Sequence, residues 1–448
     1  MARGCGHARS LSLLALVAAI GGGLPAHAFA STFIVNTTGD PGPMGTLSLR
    51  QAIAAASAST ANTVQFAAAL TGSTITLASG QIAIGKSMTI SGPGAEVMTI
   101  SANDASRIFY IRPVPDDVDP SHTQVTISGV TLTQGSSGAL SGGAIFAEHT
   151  QLALSRVTVS ASKGGAFGGG IYSLLGKTTI QHSRLVGNQS GLHGGGLHSA
   201  SDLSVRVYFS TISGNTAGAH GAGLFIQGTG DALIGGSTIS GNSILQPDQE
   251  TGTQGGGGIA LSGLMLNGSA EIFDSTITQN YSPTGGAGVA MLDALSGTAA
   301  NFYFSTIAGN TSAPYETGIG ITSAGGTAYL HNSIAANNFS QSGNDDLAGS
   351  FKVKQSLVMS PGGATITGTL SVIGADPQLG ALADNGGETS TMLPGAGSPA
   401  VHAVVCSPCA DFPVIDQRGA PRHYASDMGA VERQYPEDLI FRTGFSPP

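Results

Sequence analysis

Arg156 and Arg184 each follow a serine in two copies of a short phrase, Ser155-Arg156-Val157-Thr158 and Ser183-Arg184-Leu185-Val186, 28 residues apart. If the copies stack, both guanidiniums leave one face of a sheet a single rung apart. Like charges so placed repel by roughly a few tenths of a kcal/mol, which a bound anion relieves. The pair therefore suits an acidic ligand. It would suit a proton-abstracting lyase only with carboxylates beside it, and no acidic cluster shares its register. Hydrolysis of a glycosidic bond needs two carboxyls on one face, about 5–9 Å apart. Asp202, Asp231 and Glu271 lie eight, six and four residues before the serines of their copies, so with three different offsets they are not expected to converge. His193 and His220, 27 residues apart, are expected on neighbouring coils, yet two imidazoles without a third donor do not make a metal site. No serine of the phrase has a histidine in register to activate it. No catalytic residue is assigned.

A second constellation is aromatic. Phe146, Tyr172, His198 and Phe225 directly follow Ile145, Ile171, Leu197 and Leu224, the aliphatic residues that close four copies of a glycine phrase. Alternation along a strand sends all four rings outward in one file. Flat rings can stack on sugar faces; they serve equally as rungs packed beneath a loop such as 112–122. With Arg156 and Arg184 they are the candidate contacts to a polysaccharide or cell-surface glycan. The 112–122 insertion carries Asp116, Asp117 and Asp119, hard oxygens that suit calcium but lack the spacing and glycine of a calcium loop. No cofactor is expected, calcium being the one ion weighed.

These residues need a scaffold that repeats, and the repeats supply it. The phrase returns at Ser210-Thr211-Ile212-Ser213-Gly214-Asn215, at 237–242, 275–280, 305–310 and Asn332-Ser333-Ile334-Ala335-Ala336-Asn337. Counted from a degenerate copy at Ser128, the steps are 27, 28, 27, 27, 38, 30 and 27 residues. The glycine phrase (Gly168-Gly169-Gly170-Ile171, Gly194-Gly195-Gly196-Leu197 and their kin) keeps the same period. Two motifs on one period specify a solenoid. Its runs of three to six β-branched residues, cut by Gly, Asn and Ser, are strand grammar rather than helix grammar. Three short strands and three turns per coil of about 27 residues give an all-β parallel β-helix. Val157, Leu185, Ile212, Ile239, Ile277, Ile307 and Ile334 are expected to stack inward. Asn188, Asn215, Asn242, Asn280, Asn310 and Asn337 are expected to form a buried amide ladder at a corner, each amide being both donor and acceptor.

Composition agrees: 68 glycines, no tryptophan, 10% charged and 41% apolar residues in a chain of 448. Residues 1–30 read as a secretory signal peptide, with Arg3 and Arg9 before an apolar run at 11–20 and small residues near Ala28. Removing it leaves 15 basic against 26 acidic side chains, a balance unsuited to nucleic acid. The apolar run is too short for a comfortable membrane span, and no later run approaches that length. The mature chain is expected to be a monomer, secreted or held at a bacterial cell surface. Cys406 and Cys409, in an exported chain, are expected to form a local disulfide. The segment 49–58 has helical apolar spacing and is placed as a cap over the first coils.

Leu47-Ser48-Leu49-Arg50-Gln51-Ala52-Ile53 resembles the opening segment of CSLREA-type bacterial surface proteins, with Leu47 in place of the cysteine and Gln51 in place of the glutamate. Farther on come Asp376-Pro377-Gln378-Leu379-Gly380, Asp384-Asn385-Gly386-Gly387-Glu388-Thr389, Asp416-Gln417-Arg418-Gly419 and Asp427-Met428-Gly429-Ala430-Val431-Glu432. In that order they resemble the closing module of choice-of-anchor Q proteins. The resemblance implies an exported, right-handed parallel β-helix of pectin-lyase-like repeats and brings no catalytic residues. Asp416, Arg418 and Asp427 are read as ion pairs of a C-terminal cap. The tail Asp438-Leu439-Ile440-Phe441-Arg442-Thr443-Gly444-Phe445 is similar to a short sorting-type ending of secreted proteins.

The expected organisation is a signal peptide at 1–30, a β-helix with an N-terminal helical cap at 31–375, an irregular C-terminal capping module at 376–433 and a tail at 434–448. The leading functional expectation is a non-catalytic structural or adhesive protein that binds carbohydrate. The alternative is a polysaccharide lyase or glycoside hydrolase acting on an acidic polysaccharide.

Overall fold

The computed structural model describes residues 31–434 apart from 57–61, 115–118, 120, 202, 229, 246–254, 264–268, 293–298, 315, 317, 406–413 and 424. The signal segment, the tail beyond 434, Cys406, Cys409, Asp116, Asp117 and Asp202 thus lie outside the described residues.

One central coil shows the repeating logic. Strand Ile171–Leu174 turns at Leu175 into Lys177–Gln181, a corner at His182 leads to Arg184–Val186, and Gly187 turns the chain into Gln189–Ser190. The next coil repeats this directly above, so the strands pair in parallel and sort into three sheets of 21, 12 and 8 strands. The largest sheet contributes two panels per coil. The chain is a parallel β-helix.

The inward column of the 12-stranded sheet runs Val159, Leu185, Ile212, Ile239, Ile277, Ile307, Ala335, all fully buried. Each isoleucine or leucine so enclosed is worth roughly 1.5–3 kcal/mol relative to exposure. Two members differ from expectation. Val159, not Val157, meets Leu185, and Ala335, not Ile334, meets Ile307.

Both corrections have one cause: the first and last copies are out of phase with the serine column. Ser183, Ser210, Ser237, Ser275 and Ser305 each donate a main-chain N–H to the serine hydroxyl one coil on, and the column continues through Ser333 and Ser356 to Ser371. In the first copy it is Val157 whose N–H reaches Ser183. In the last copy Ser333, not Asn332, is in line.

The amide ladder runs Asn188, Asn215, Asn242, Asn280, Asn310, Asn338. Each Nδ2 donates to the next Oδ1 at 2.8–3.0 Å and to a strand carbonyl behind it at 2.9–3.1 Å. Asn337 is not a rung. It stands in the column of Gly187, Gly214, Gly241 and Gly309, and like them takes a positive φ, here 57°. The ladder ends on Asp346, whose Oδ1 accepts from Asn338 Nδ2 at 2.8 Å and whose Oδ2 accepts from Ser360 N at 2.7 Å.

The N-terminal end is covered as expected by a helix, Leu49–Ala56, with Leu49, Ala52, Ile53 and Ala56 buried. Ser48 and Gln51 form a capping box: Ser48 N donates to Gln51 Oε1, and Gln51 N to Ser48 Oγ. Arg50 clamps Asp40 with two hydrogen bonds of 2.7 and 2.8 Å. That accounts mechanically for the Ser-Leu-Arg-Gln segment.

The C-terminal module does not close the far end. It folds back along the outer face of the 12-stranded sheet. Thr276 Oγ1 donates to Gln417 Oε1 at 2.6 Å, Gln417 Nε2 to Thr238 Oγ1 at 2.9 Å, Ala430 N to Thr306 Oγ1 at 3.0 Å, and Gly429 N to Asn332 O at 2.7 Å. A second apolar core fills this seam, with Phe304, Ile334, Leu357, Ala400, Val404 and Met428. Thr238, Thr276 and Thr306 are consequently buried, whereas Thr131, Thr158, Arg184 and Thr211 of the same outward file are not.

Candidate functional site

The geometry of the site begins at the corner between the largest sheet and the 12-stranded sheet. The residue before the serine column turns with positive φ in every coil: Arg156, His182, Phe209, Gly236, Asp274, Phe304 and Asn332. A left-handed conformation costs an ordinary residue roughly 1–2 kcal/mol. Main-chain bonds to the next coil offset it, such as His182 N to Tyr208 O at 3.0 Å and Phe209 N to Gly235 O at 3.0 Å.

Beside this corner, where the module leaves the sheet open, lies a groove of about 430 Å³ lined by Arg156, His182, Arg184, Ser128, Ser155, Thr158 and the turn from Gly92 to Glu96. That turn is one wall. Thr131 Oγ1 holds it through Ala95 O at 2.7 Å, and Gly94 N donates to Gly129 O at 2.9 Å. The approach is close enough that a Cβ on Gly92 would sit 2.2 Å from Gly129 O.

Arg156 and Arg184 are not the cross-strand neighbours that the phrase implied. Arg184 pairs with Thr158 and Thr211, and Arg156 is a corner residue. They nevertheless face the same groove, one from the corner and one from the sheet. A third member, His182, is not predicted by the spacing of the arginines. Its ring stacks on Phe209 with centroids 5.3 Å apart, and its Nδ1 meets Glu388 Oε2 of the C-terminal module at 2.5 Å. The signal for His182 was present in the position before the serine, where Phe209, Asp274 and Phe304 also stand. Glu388 could not be placed without knowing that the module folds back.

The aromatic file is a different object from the one expected. Phe146, Tyr172, His198 and Phe225 do share one register, but His198 and Phe225 are buried. A second file from the preceding turn, Phe167, His193 and His220, lies against Tyr172, His198 and Phe225. Phe167 and His193 stack at 5.3 Å, His193 and His220 at 4.9 Å, and His193 lies 4.8 Å from Phe225. His198 and Phe225 are thereby closed off, while Phe146 and Tyr172 stay half-buried. Burial, then the neighbouring His193, pushes the His198 imidazole down to about 3, so it stays neutral.

Asp416, Asp427 and Glu432 of the module are buried. Arg418 grips Asp416 with bonds of 3.0 and 2.8 Å. Arg422 pairs with Asp274 at 2.6 Å, approaches Glu432 at 3.6 Å and lies over the Phe304 ring at 4.1 Å. Asp427 accepts the N–H groups of His402 and Arg433. Burial raises Asp274 to about 6 despite Arg422, and burial reinforced by Asp427 raises Glu432 to about 7. These groups fasten the module to the coils.

Glu271 pairs with Leu233 within the largest sheet, and Asp231, just before the strand Ala232–Gly235, accepts from Ser269 Oγ at 3.3 Å; neither belongs to the groove. Among the described residues no three His, Cys, Asp or Glu side chains converge as a metal donor set, and no helix is long and apolar enough to cross a membrane.

No protein-family model matches the chain, and no curated protein matches it. Among solved structures it is similar to the crystal structure of pectate lyase Pel9A, at 13% identity and a TM-score of 0.49, over 91% of this chain and 98% of that one. No residue is carried over from that likeness.

Proposed function

We propose that this chain is an exported, non-catalytic protein of the cell surface or extracellular space, of the choice-of-anchor Q and CSLREA type, that holds an acidic polysaccharide in the groove beside Arg156 and Arg184. The observation that carries the reading is that two arginines, one from a corner and one from a strand of the next coil, converge on one groove in a chain of net charge −9. A local cationic groove on an acidic molecule selects a polyanion that the rest of the surface repels. Guanidiniums recognise carboxylates with directed, paired hydrogen bonds, and the threonine and serine hydroxyls alongside suit sugar hydroxyls. Export rests on the leader at 1–30 and adhesion on the motif resemblance.

Equilibrium binding of the mature chain to polygalacturonate and to neutral dextran is the direct test. R156A/R184A is expected to lower polygalacturonate affinity about tenfold or more, the value of one to two charge-assisted bonds, with dextran unaffected. Unchanged retention of the polyanion would remove the groove from consideration. The enzymatic alternative is checked in the same tubes with calcium present: unsaturated uronide that accumulates, and disappears with R184A, would make the chain a lyase.

A further inference from the structure

Glu388 occupies an unusual place. It is 206 residues from His182 in sequence, belongs to the module, and sets a carboxylate against the imidazole that helps line the arginine groove. The residues after it are docked by neutral bonds: Thr389 Oγ1 donates to Gly236 O at 3.0 Å, and Ser390 O accepts from Thr238 Oγ1 at 2.5 Å. Before it, Gly386 and Gly387 both take positive φ. The Glu388 side chain itself is 56% exposed, so water and solutes reach the contact.

Resting on the reading of the groove as a polyanion site, we infer that His182 is a carboxylate subsite of that groove, filled in the free protein by Glu388 acting as a tethered stand-in for a uronate. Three features favour a carboxylate there over a neutral sugar. The imidazole meets a carboxylate oxygen in the free chain, the ring is held flat on Phe209, and Arg156 and Arg184 continue the cationic lining away from it. A uronate chain lying in the groove presents carboxylates at regular intervals. One of them takes the His182 position while its neighbours meet the arginines. Glu388 then swings into solvent about Gly386 and Gly387, and Thr389 and Ser390 keep the module seated.

The ligand class is thus a polyuronate rather than a neutral glycan, and Glu388 sets the threshold at which it binds. The test uses the full mature chain and trigalacturonate. E388Q keeps the side chain's size and removes its charge, and is expected to tighten binding about two- to five-fold, the exchange value of one solvent-accessible ion pair. Dextran binding should not change. In the wild-type chain the NMR signals of the His182 ring are expected to shift on adding trigalacturonate, because the ring exchanges one carboxylate for another. Limited proteolysis of E388Q should leave the module as protected as before. Trigalacturonate binding that depends on Arg156 and Arg184 but is unaltered or weakened by E388Q, or that leaves the His182 ring unmoved, overturns this inference alone. Failure of both chains to bind overturns it together with the function proposed above.

Discussion

Asn242 shows what one residue does in this stack. Its Nδ2 donates to Asn280 Oδ1 and Ile212 O, and its Oδ1 accepts from both the main chain and the amide of Asn215. N242A leaves at least three of those buried groups unpaired, each costing about 1–3 kcal/mol, so a loss of about 3 kcal/mol or more is expected in urea or thermal unfolding. The end of the ladder gives a sharper comparison. N338A is expected to cost about as much as N242A, since Asn338 joins Asn310 to Asp346. N337A should cost only about 1 kcal/mol, from its left-handed backbone, and N337G should be neutral or better. The ladder's existence was legible, because an amide recurring at a corner is its own best partner. The last rung was not: two asparagines stand together, and only the serine bonds one coil back decide which is in line. The same ambiguity displaced Val157 and Arg156 in the first copy, where the serine is missing.

Elements were legible where their burial is local. The helix Leu49–Ala56 is announced by its apolar spacing and by a capping box within four residues. The module's position was not legible, because every threonine of the outward file offers the same hydroxyl and nothing local says which ones are covered. The aromatic rings escaped for a related reason. Alternation correctly sends His198 and Phe225 out of the coil, but a strand pattern cannot show that Phe167, His193 and His220 of the preceding turns come down over them. Docking of the module as an element turns on Arg422, enclosed between Asp274, Glu432 and the Phe304 ring. R422A leaves two buried carboxylates without their cation, a change that typically costs about 3–5 kcal/mol. Proteolytic and hydrogen-exchange protection should fall across 376–434 and on strands Thr276–Thr278 and Thr306–Ala308. The coils from Gln124 to Ser213 should keep theirs, because each coil is supported only by its neighbours. Loss of protection throughout the stack would instead make the module a global clamp.

For the whole molecule, three buried carboxyls outweigh one buried imidazole in the response to pH: His198, lowered to about 3 by burial and then by His193, takes stability away as pH falls below about 6.5, while the three carboxyls add it. Asp346 is raised to about 6 by burial and Asp274 to about 6 by burial, while Glu432 rises to about 7 by burial and the charge of Asp427. In the unfolded chain these groups return to about 4. Between the two values the folded state binds protons that the unfolded state does not, so stability falls as pH rises. The contribution is fully present near pH 4 and lost as pH passes 6 to 7. Asp346 has no cation against it, and a shift of its size is worth on the order of 3 kcal/mol. The net charge of −9 acts in the same direction, since protonation relieves repulsion along the stack. Thermal melts from pH 4.5 to 8 are therefore expected to show Tm highest at the acid end. D346N should flatten that slope whatever it does to the absolute Tm, because an amide cannot take up the proton. A Tm that rises toward pH 8 would show that the buried imidazole of His198 outweighs the carboxyls, and a D346N slope as steep as that of the wild type would show that the carboxylate ending the amide ladder keeps its charge in the fold.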